Sequence, residues 1–206
     1  MRCGLLGRSL KHSYSPQIHA SLGNYSYDLF EQEPDSLSNF FQNNDFNGIN
    51  VTIPYKKDVV PYCDELSPIA KKLGSVNTII RTSEGKLIGH NSDYFGFLSM
   101  VQKTGLDITG KKALVLGSGG ASVTVCAVLE ALKAHTVQIS RNGINNYTNL
   151  HLHKDAALIV NATPVGMYPE NGNSPIDLSM FTKLEGVLDL IYNPAHTQLL
   201  MEAQKL

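Results

Sequence analysis

Cysteines are few in this sequence, long apolar runs are missing and neither charge dominates; each shortage excludes a class of protein. Cys3, Cys63 and Cys126 are scattered with no C-x-x-C pair, so their spacing gives neither a zinc site nor a disulfide framework. Three buried, reduced thiols fit a cytoplasmic protein. No stretch approaches the roughly 20 apolar residues needed to span a bilayer. The opening Met1-Arg2-Cys3-Gly4-Leu5-Leu6-Gly7 is too short and too glycine-broken for a signal peptide and reads as a first strand. A net charge of −1 gives no bulk electrostatic reason to bind nucleic acid or an anionic membrane. Histidines 151 and 153 lack a companion ligand set at metal-site spacing, so no metal is expected. Repeats and low-complexity segments are also lacking.

What remains is an ordinary globular composition, 42% hydrophobic and 17% charged, long enough for two domains of about 100 residues each. In the first half, apolar alternation predicts strands at Arg2–Leu6, Tyr27–Glu31, Gly48–Ile53, Val76–Arg81 and Leu87–His90. Ser15-Pro16 reads as an N-cap followed by proline, opening a helix to Leu22. Asp35 reads as the cap of a second helix with Leu37, Phe40 and Phe41 on one face. Ser83–Lys86 reads as a hairpin turn. Tyr94, Phe97, Leu98 and Val101 follow helical spacing and define a bridging helix over Asn91–Thr104. Beyond it, strands at Ala113–Leu116, Thr136–Ser140, Ala157–Val160 and Gly186–Ile191 accompany helices at Ala121–Lys133 and Gln198–Leu206. Alternation of this kind implies right-handed βαβ units and an open parallel sheet. The predicted architecture is an N-terminal α/β domain over 1–92 and a Rossmann-like, doubly wound parallel-sheet domain over 93–206.

Between the apolar strand ending at Leu116 and the next helix lies Gly117-Ser118-Gly119-Gly120-Ala121. Glycines let the chain turn sharply and let a pyrophosphate approach where a Cβ would block it. The following helix N-terminus offers unpaired N–H groups to that anion. Strand before and helix after make this a dinucleotide site rather than a bare Gly-x-Gly. The next strand ends in Ser140-Arg141-Asn142 with no acidic residue. An acid there would bond the ribose 2′-hydroxyl, whereas Arg141 suits a 2′-phosphate, so NADP(H) is expected.

Three polar clusters mark element ends in the first half. They are Ser13-Tyr14-Ser15-Pro16, then Asn50-Val51-Thr52-Ile53-Pro54-Tyr55-Lys56, and Asn77-Thr78 with Asn91-Ser92-Asp93. Hydroxyls, amides, one lysine and one aspartate suit a small, polyhydroxylated, anionic ligand. Each element alone has a plainer explanation: Ser15 and Asp93 as helix caps, Lys56 beside Lys57 as a solvated face.

These clusters in this order, with the glycine loop, Asn161-Ala162-Thr163-Pro164, Gly166-Met167 and Asp189-Leu190-Ile191-Tyr192-Asn193-Pro194, resemble the shikimate dehydrogenases. The resemblance implies reversible, NADPH-dependent reduction of 3-dehydroshikimate to shikimate in aromatic amino-acid (chorismate) biosynthesis. By it, Ser13 and Ser15 would hold the substrate carboxylate, and Thr52, Lys56, Asn77 and Asp93 its ring hydroxyls and carbonyl. Lys56 would be the proton donor aligned by Asp93, and Tyr192 a further substrate contact. Gly117, Ser118, Gly119, Gly120 and Ala121 would cradle the pyrophosphate, with Ser140 and Arg141 at the 2′-phosphate and Thr163 bordering the dinucleotide. The family pattern carries a second Arg after the first, and continues into a further strand and a return helix bearing a glutamine; both are expected to be missing here. Two alternatives stay open: a relative acting on quinate or using NAD, and a non-catalytic dinucleotide-binding fragment. A monomer or homodimer is expected.

Overall fold

Strands that alternate apolar and polar residues build a sheet with one buried face and one face left for polar groups. The computed structural model describes residues 1–11 and 13–206. It divides into two units, Met1–Asp93 and Tyr94–Leu206. The first runs β1 (Arg2–Gly7), α1 (Ser15–Leu22), β2 (Ser26–Glu31), α2 (Leu37–Asn43), β3 (Gly48–Val51), β4 (Glu65–Leu66), α3 (Pro68–Leu73), β5 (Thr78–Arg81) and β6 (Leu87–His90). Its strands lie in the order β2-β1-β3-β5-β6-β4. β1 runs parallel to β2 and β3, whereas β5 is antiparallel to both β3 and β6.

Leu6, Phe30, Ile49, Val51, Ile79 and Leu87 project from one face of this sheet onto Phe40, Phe46, Tyr55 and Val59. Phe40 centres that core, its ring centroid 5.2 Å from that of Phe30 and 5.3 Å from that of Phe41. Buried aromatic pairs of this kind favour edge-to-face packing, which both adopt. Strand alternation sends the intervening residues the other way. Asn50 pairs in register with Thr78, and Thr78 with His90, so β3, β5 and β6 set a row of polar side chains on the second face.

The second unit takes α4 (Asp93–Thr104) from its second residue and adds β7 (Lys112–Leu116), α5 (Gly120–Ala131), β8 (His135–Ile139), β9 (Leu158–Asn161), β10 (Gly186–Asp189) and α6 (Gln198–Ala203). The four strands are all parallel, in the order β10-β9-β7-β8. Both faces are covered, which explains the unbroken apolar run in β7. Ala113, Val115, Leu158 and Val160 meet Phe97 and Val101 of α4 and Val125, Val128 and Leu129 of α5. Leu114, Leu116, Ile139 and Ile159 meet Leu150, Ile176, Leu178, Phe181 and Leu199 of α6. This is the expected doubly wound, Rossmann-like sheet. No helix among the described residues is long and apolar enough to cross a membrane.

Several local expectations are corrected. Ser15 is not the N-cap of α1: Tyr14 holds that position, and Ser13 Oγ accepts the Ser15 N–H at 3.2 Å. Asp35 does not cap α2, because Pro34–Ser36 forms a 3-10 turn and Ser36 precedes the helix without a side-chain cap. Val76 lies outside β5, since its N–H donates to the Lys56 carbonyl at 2.7 Å rather than to a neighbouring strand. β3 ends at Val51, because the Tyr55 N–H closes a turn onto the Thr52 carbonyl. β8 and β10 end at Ile139 and Asp189, and α5 and α6 at Ala131 and Ala203, earlier than expected. β4 and α3 were not expected, although Ser67 caps α3 by accepting the Ala70 N–H and Gly74 ends it at a φ of 56°.

The short 3-10 turn Leu150–His153 carries a pH-dependent element. His153 Nε2 faces Asn145 Oδ1 at 3.2 Å, while its Nδ1 is buried with no hydrogen-bond partner among the described residues. Burial pushes this imidazole below its ordinary 6.5, and Lys112 adds to the push. The folded state therefore holds the proton less tightly than the unfolded chain, so stability is full above about pH 6.5 and declines as pH falls below it. Thermal unfolding followed from about pH 7 to pH 5 is expected to show a falling midpoint that His153→Gln flattens. An unchanged slope in the variant would contradict this.

Candidate active site

The polar face of the first unit is organised around Asn77, which is buried. Its Oδ1 accepts the backbone N–H of Ser92 at 2.8 Å. A backbone N–H can only donate, so the amide oxygen must lie on that side. Asn77 Nδ2 is consequently turned toward Asp93 Oδ1, 2.8 Å away, and Ser92 Oγ, 2.9 Å away. The other carboxylate oxygen, Asp93 Oδ2, accepts from Lys56 Nζ at 2.6 Å. The Lys56 side chain is 17% exposed and that of Asp93 38%, so the pair is withdrawn from water without being sealed off. Asp93 is the first residue of α4, where the helix dipole favours a negative charge.

The network continues in the opposite direction. Thr78 Oγ1 donates to Asn77 Oδ1 at 3.2 Å and accepts from Asn50 Nδ2 at 3.3 Å. Asn50 Oδ1 accepts from the Tyr27 hydroxyl at 2.7 Å. Ser15 lies close enough to this hydroxyl to counter part of the upward push that burial gives it. Ser15, Asn77, Asp93 and Lys56, four residues singled out from sequence, thus share one polar track through Tyr27, Asn50 and Thr78. Ser13 joins it at the start of α1 through the Ser15 N–H. Thr52 stands outside the track, beyond the end of β3, its N–H held by the Leu6 carbonyl at 2.9 Å. A side chain on Gly7 would come within 2.8 Å of Thr52 Cγ2, so this glycine leaves Thr52 its place.

In the second unit, Gly117 has a φ of 112°, a region L side chains rarely adopt, and a Cβ there would come 3.0 Å from the Ala162 carbonyl. Glycine is therefore dictated twice, by backbone conformation and by the loop after β9. A Cβ on Gly119, which caps α5, would meet nothing within 4 Å. The chain from Gly117 through Ser118 and Gly119 into Gly120 and Ala121 therefore presents a helix N-terminus with no side-chain cap beside open space, and the first N–H groups of a helix have no intrahelical partner, as an anionic phosphate requires. Ser140 follows β8, its N–H donating to the Asn145 carbonyl at 3.1 Å. Arg141 is exposed, and its charge offsets part of the upward push that burial gives the Tyr147 hydroxyl. Tyr192 lies beyond β10, 67% exposed.

Thr163 is placed by a second oriented amide. Asn161, fully buried, accepts the Thr163 N–H at 3.0 Å and its hydroxyl at 2.7 Å. Its Nδ2 donates to Asp189, whose Oδ2 accepts from the Thr197 hydroxyl at 2.7 Å. Asn161 and Asp189 belong to motifs visible in the sequence, but nothing there assigns them this bracing role. Tyr27 has no sequence signal beyond its place in a strand.

Comparison with known proteins gives a consistent picture. A family model for the shikimate dehydrogenase substrate binding domain matches residues 5–79. The shikimate dehydrogenase (NADP(+)) of Caldanaerobacter subterraneus subsp. tengcongensis is 34% identical over 230 residues, covering 98% of this chain and 82% of that relative. The crystal structure of shikimate dehydrogenase 1 from Peptoclostridium difficile superposes with a TM-score of 0.91 at 35% identity, over 99% of this chain and 82% of that one. Shikimate 5-dehydrogenase from Thermus thermophilus, solved with NADP(H) and shikimate, gives 0.83 at 32% identity, over 100% and 84%.

The bracing by Asn161 is open to test. Asn161→Ala strands two Thr163 donors and removes the donor to Asp189. The expected loss is about 2 kcal/mol or more of second-unit stability, read from urea unfolding. A loss under about 0.5 kcal/mol would show that the loop is held by other means.

Proposed function

The chain belongs to the shikimate dehydrogenase family, and we propose that it reduces 3-dehydroshikimate reversibly to shikimate with NADPH. The observation that carries the reading is the Lys56–Asp93 pair, 2.6 Å apart and braced by Asn77. Hydride addition to a ketone leaves negative charge on oxygen, so a proton donor must stand within hydrogen-bond reach of that oxygen. Lys56 is that donor, and Asp93 holds its ammonium in one direction.

The substrate carboxylate is assigned to Ser13 and Ser15 at the start of α1. Its ring oxygens are assigned to Thr52, Lys56, Asn77 and Asp93, with Tyr192 as a further contact. The open, glycine-lined N-terminus of α5 fits a dinucleotide pyrophosphate at Gly117, Ser118, Gly119, Gly120 and Ala121. Ser140 and Arg141 take the 2′-phosphate, and Thr163 borders the dinucleotide. When bound, NADPH supplies the hydride. The carbonyl π pair moves onto oxygen, and Lys56 Nζ transfers one proton to it, forming the O–H of the alcohol. The neutral amine left behind regains a proton from water. In the oxidising direction the same amine accepts the hydroxyl proton. Three free thiols, at Cys3, Cys63 and Cys126, support a cytoplasmic location.

Lys56→Ala and Asp93→Asn are each expected to lower kcat by about 100-fold or more, the scale of a lost general acid. The dissociation constant for NADPH, followed by cofactor fluorescence, should stay within about twofold, because both residues belong to the first unit and the glycine loop assigned to the cofactor belongs to the second. Near-wild-type turnover in either variant would overturn the assignment.

A further inference from the structure

The polar track of the first unit is fixed in direction at one end, where a backbone N–H commits the Asn77 amide. Ser92 N–H fixes the Asn77 oxygen; Thr78 then donates to that oxygen, Asn50 Nδ2 donates to Thr78, and Asn50 is left with its oxygen outward. That oxygen needs a donor, and the Tyr27 hydroxyl supplies it at 2.7 Å. We propose that Tyr27 is a positioning residue of the substrate site, locking the Asn50 amide in the one orientation that keeps the track in register with Asn77, Asp93 and Lys56. This rests on the dehydrogenase reading above.

Three observations support it. The Asn50–Thr78 contact is long, 3.3 Å, so without Tyr27 the amide keeps only a weak hold on its orientation. The Tyr27 ring is itself held, stacked on His19 with centroids 3.8 Å apart and planes within 15°, while His19 Nδ1 engages the Tyr25 hydroxyl at 2.7 Å. His19 lies four residues after Ser15 on α1, so one helix face brings both residues to the same tyrosine. Burial also pushes the Tyr27 hydroxyl up to about 12, so it remains a donor over the whole neutral range. Tyr27 thereby joins the helix end assigned to the carboxylate to the amides assigned to the ring.

Tyr27→Phe keeps the ring and its stack and removes only the hydroxyl. The expected result is a KM for shikimate raised about tenfold, with the KM for NADP and the thermal midpoint little changed. In an Asn50→Ala background the same change should alter the KM for shikimate by less than about twofold, because its route of action is already gone. An unaltered KM in the single variant, an undiminished tenfold rise in the Asn50→Ala background, or a lowered midpoint with both KM values intact would overturn the proposal. Wild-type enzyme assayed alongside separates the two claims. An inactive wild type overturns the dehydrogenase reading and this proposal together, whereas an active wild type with an unaltered variant overturns the Tyr27 assignment alone.

Discussion

The hydrogen bond from the Ser92 backbone N–H to Asn77 Oδ1 is the constraint on which the candidate site depends. An amide side chain can bond in two orientations, and side-chain partners alone rarely distinguish them. A backbone donor removes the ambiguity. With its oxygen committed, Asn77 must offer Nδ2 to Asp93, and Asp93 must offer its remaining oxygen to Lys56. A lysine that would otherwise sweep through many rotamers is held within hydrogen-bond distance of one acceptor. Such pre-organisation is what proton transfer in a transition state requires.

The same device recurs in the second unit. There the Thr163 N–H fixes Asn161, whose Nδ2 turns to Asp189. Both asparagines are buried, both are oriented by a backbone N–H, and both direct an amide donor at an aspartate. Their consequences differ. In the first unit the aspartate goes on to hold a lysine. In the second it braces Thr197 and the Ile191 N–H, stiffening the loops after β9 and β10.

Legibility from sequence followed the range of the interactions. The buried strand Lys112–Leu116, the Gly117–Ala121 loop and the Phe97/Val101 face of α4 depend on short spacings, and these are read directly. The glycine at 117 is explained further by the approach of Ala162, which lies 45 residues away in sequence and leaves no trace near the loop. The cap signals at Ser15 and Asp35 mislead, because Ser13 and Pro34 each offer a competing local solution. The helix Pro68–Leu73 had its Ser-Pro start and glycine stop in plain view, but six residues are too short for a periodic signal. The roles of Ser13, Ser15, Thr52, Lys56, Asn77 and Asp93 come from resemblance. The track through Tyr27, Asn50 and Thr78 arises only once β2, β3 and β5 align, and no local pattern encodes it.

Initial rates at the nicotinamide absorbance band report whether this scaffold handles a proton for hydride transfer to and from a polyhydroxylated acid. Shikimate and quinate would each be offered with NADP and with NAD. Turnover is expected, with shikimate and NADP the fastest pair. Measurable NADPH binding with no turnover in any of the four combinations would contradict it.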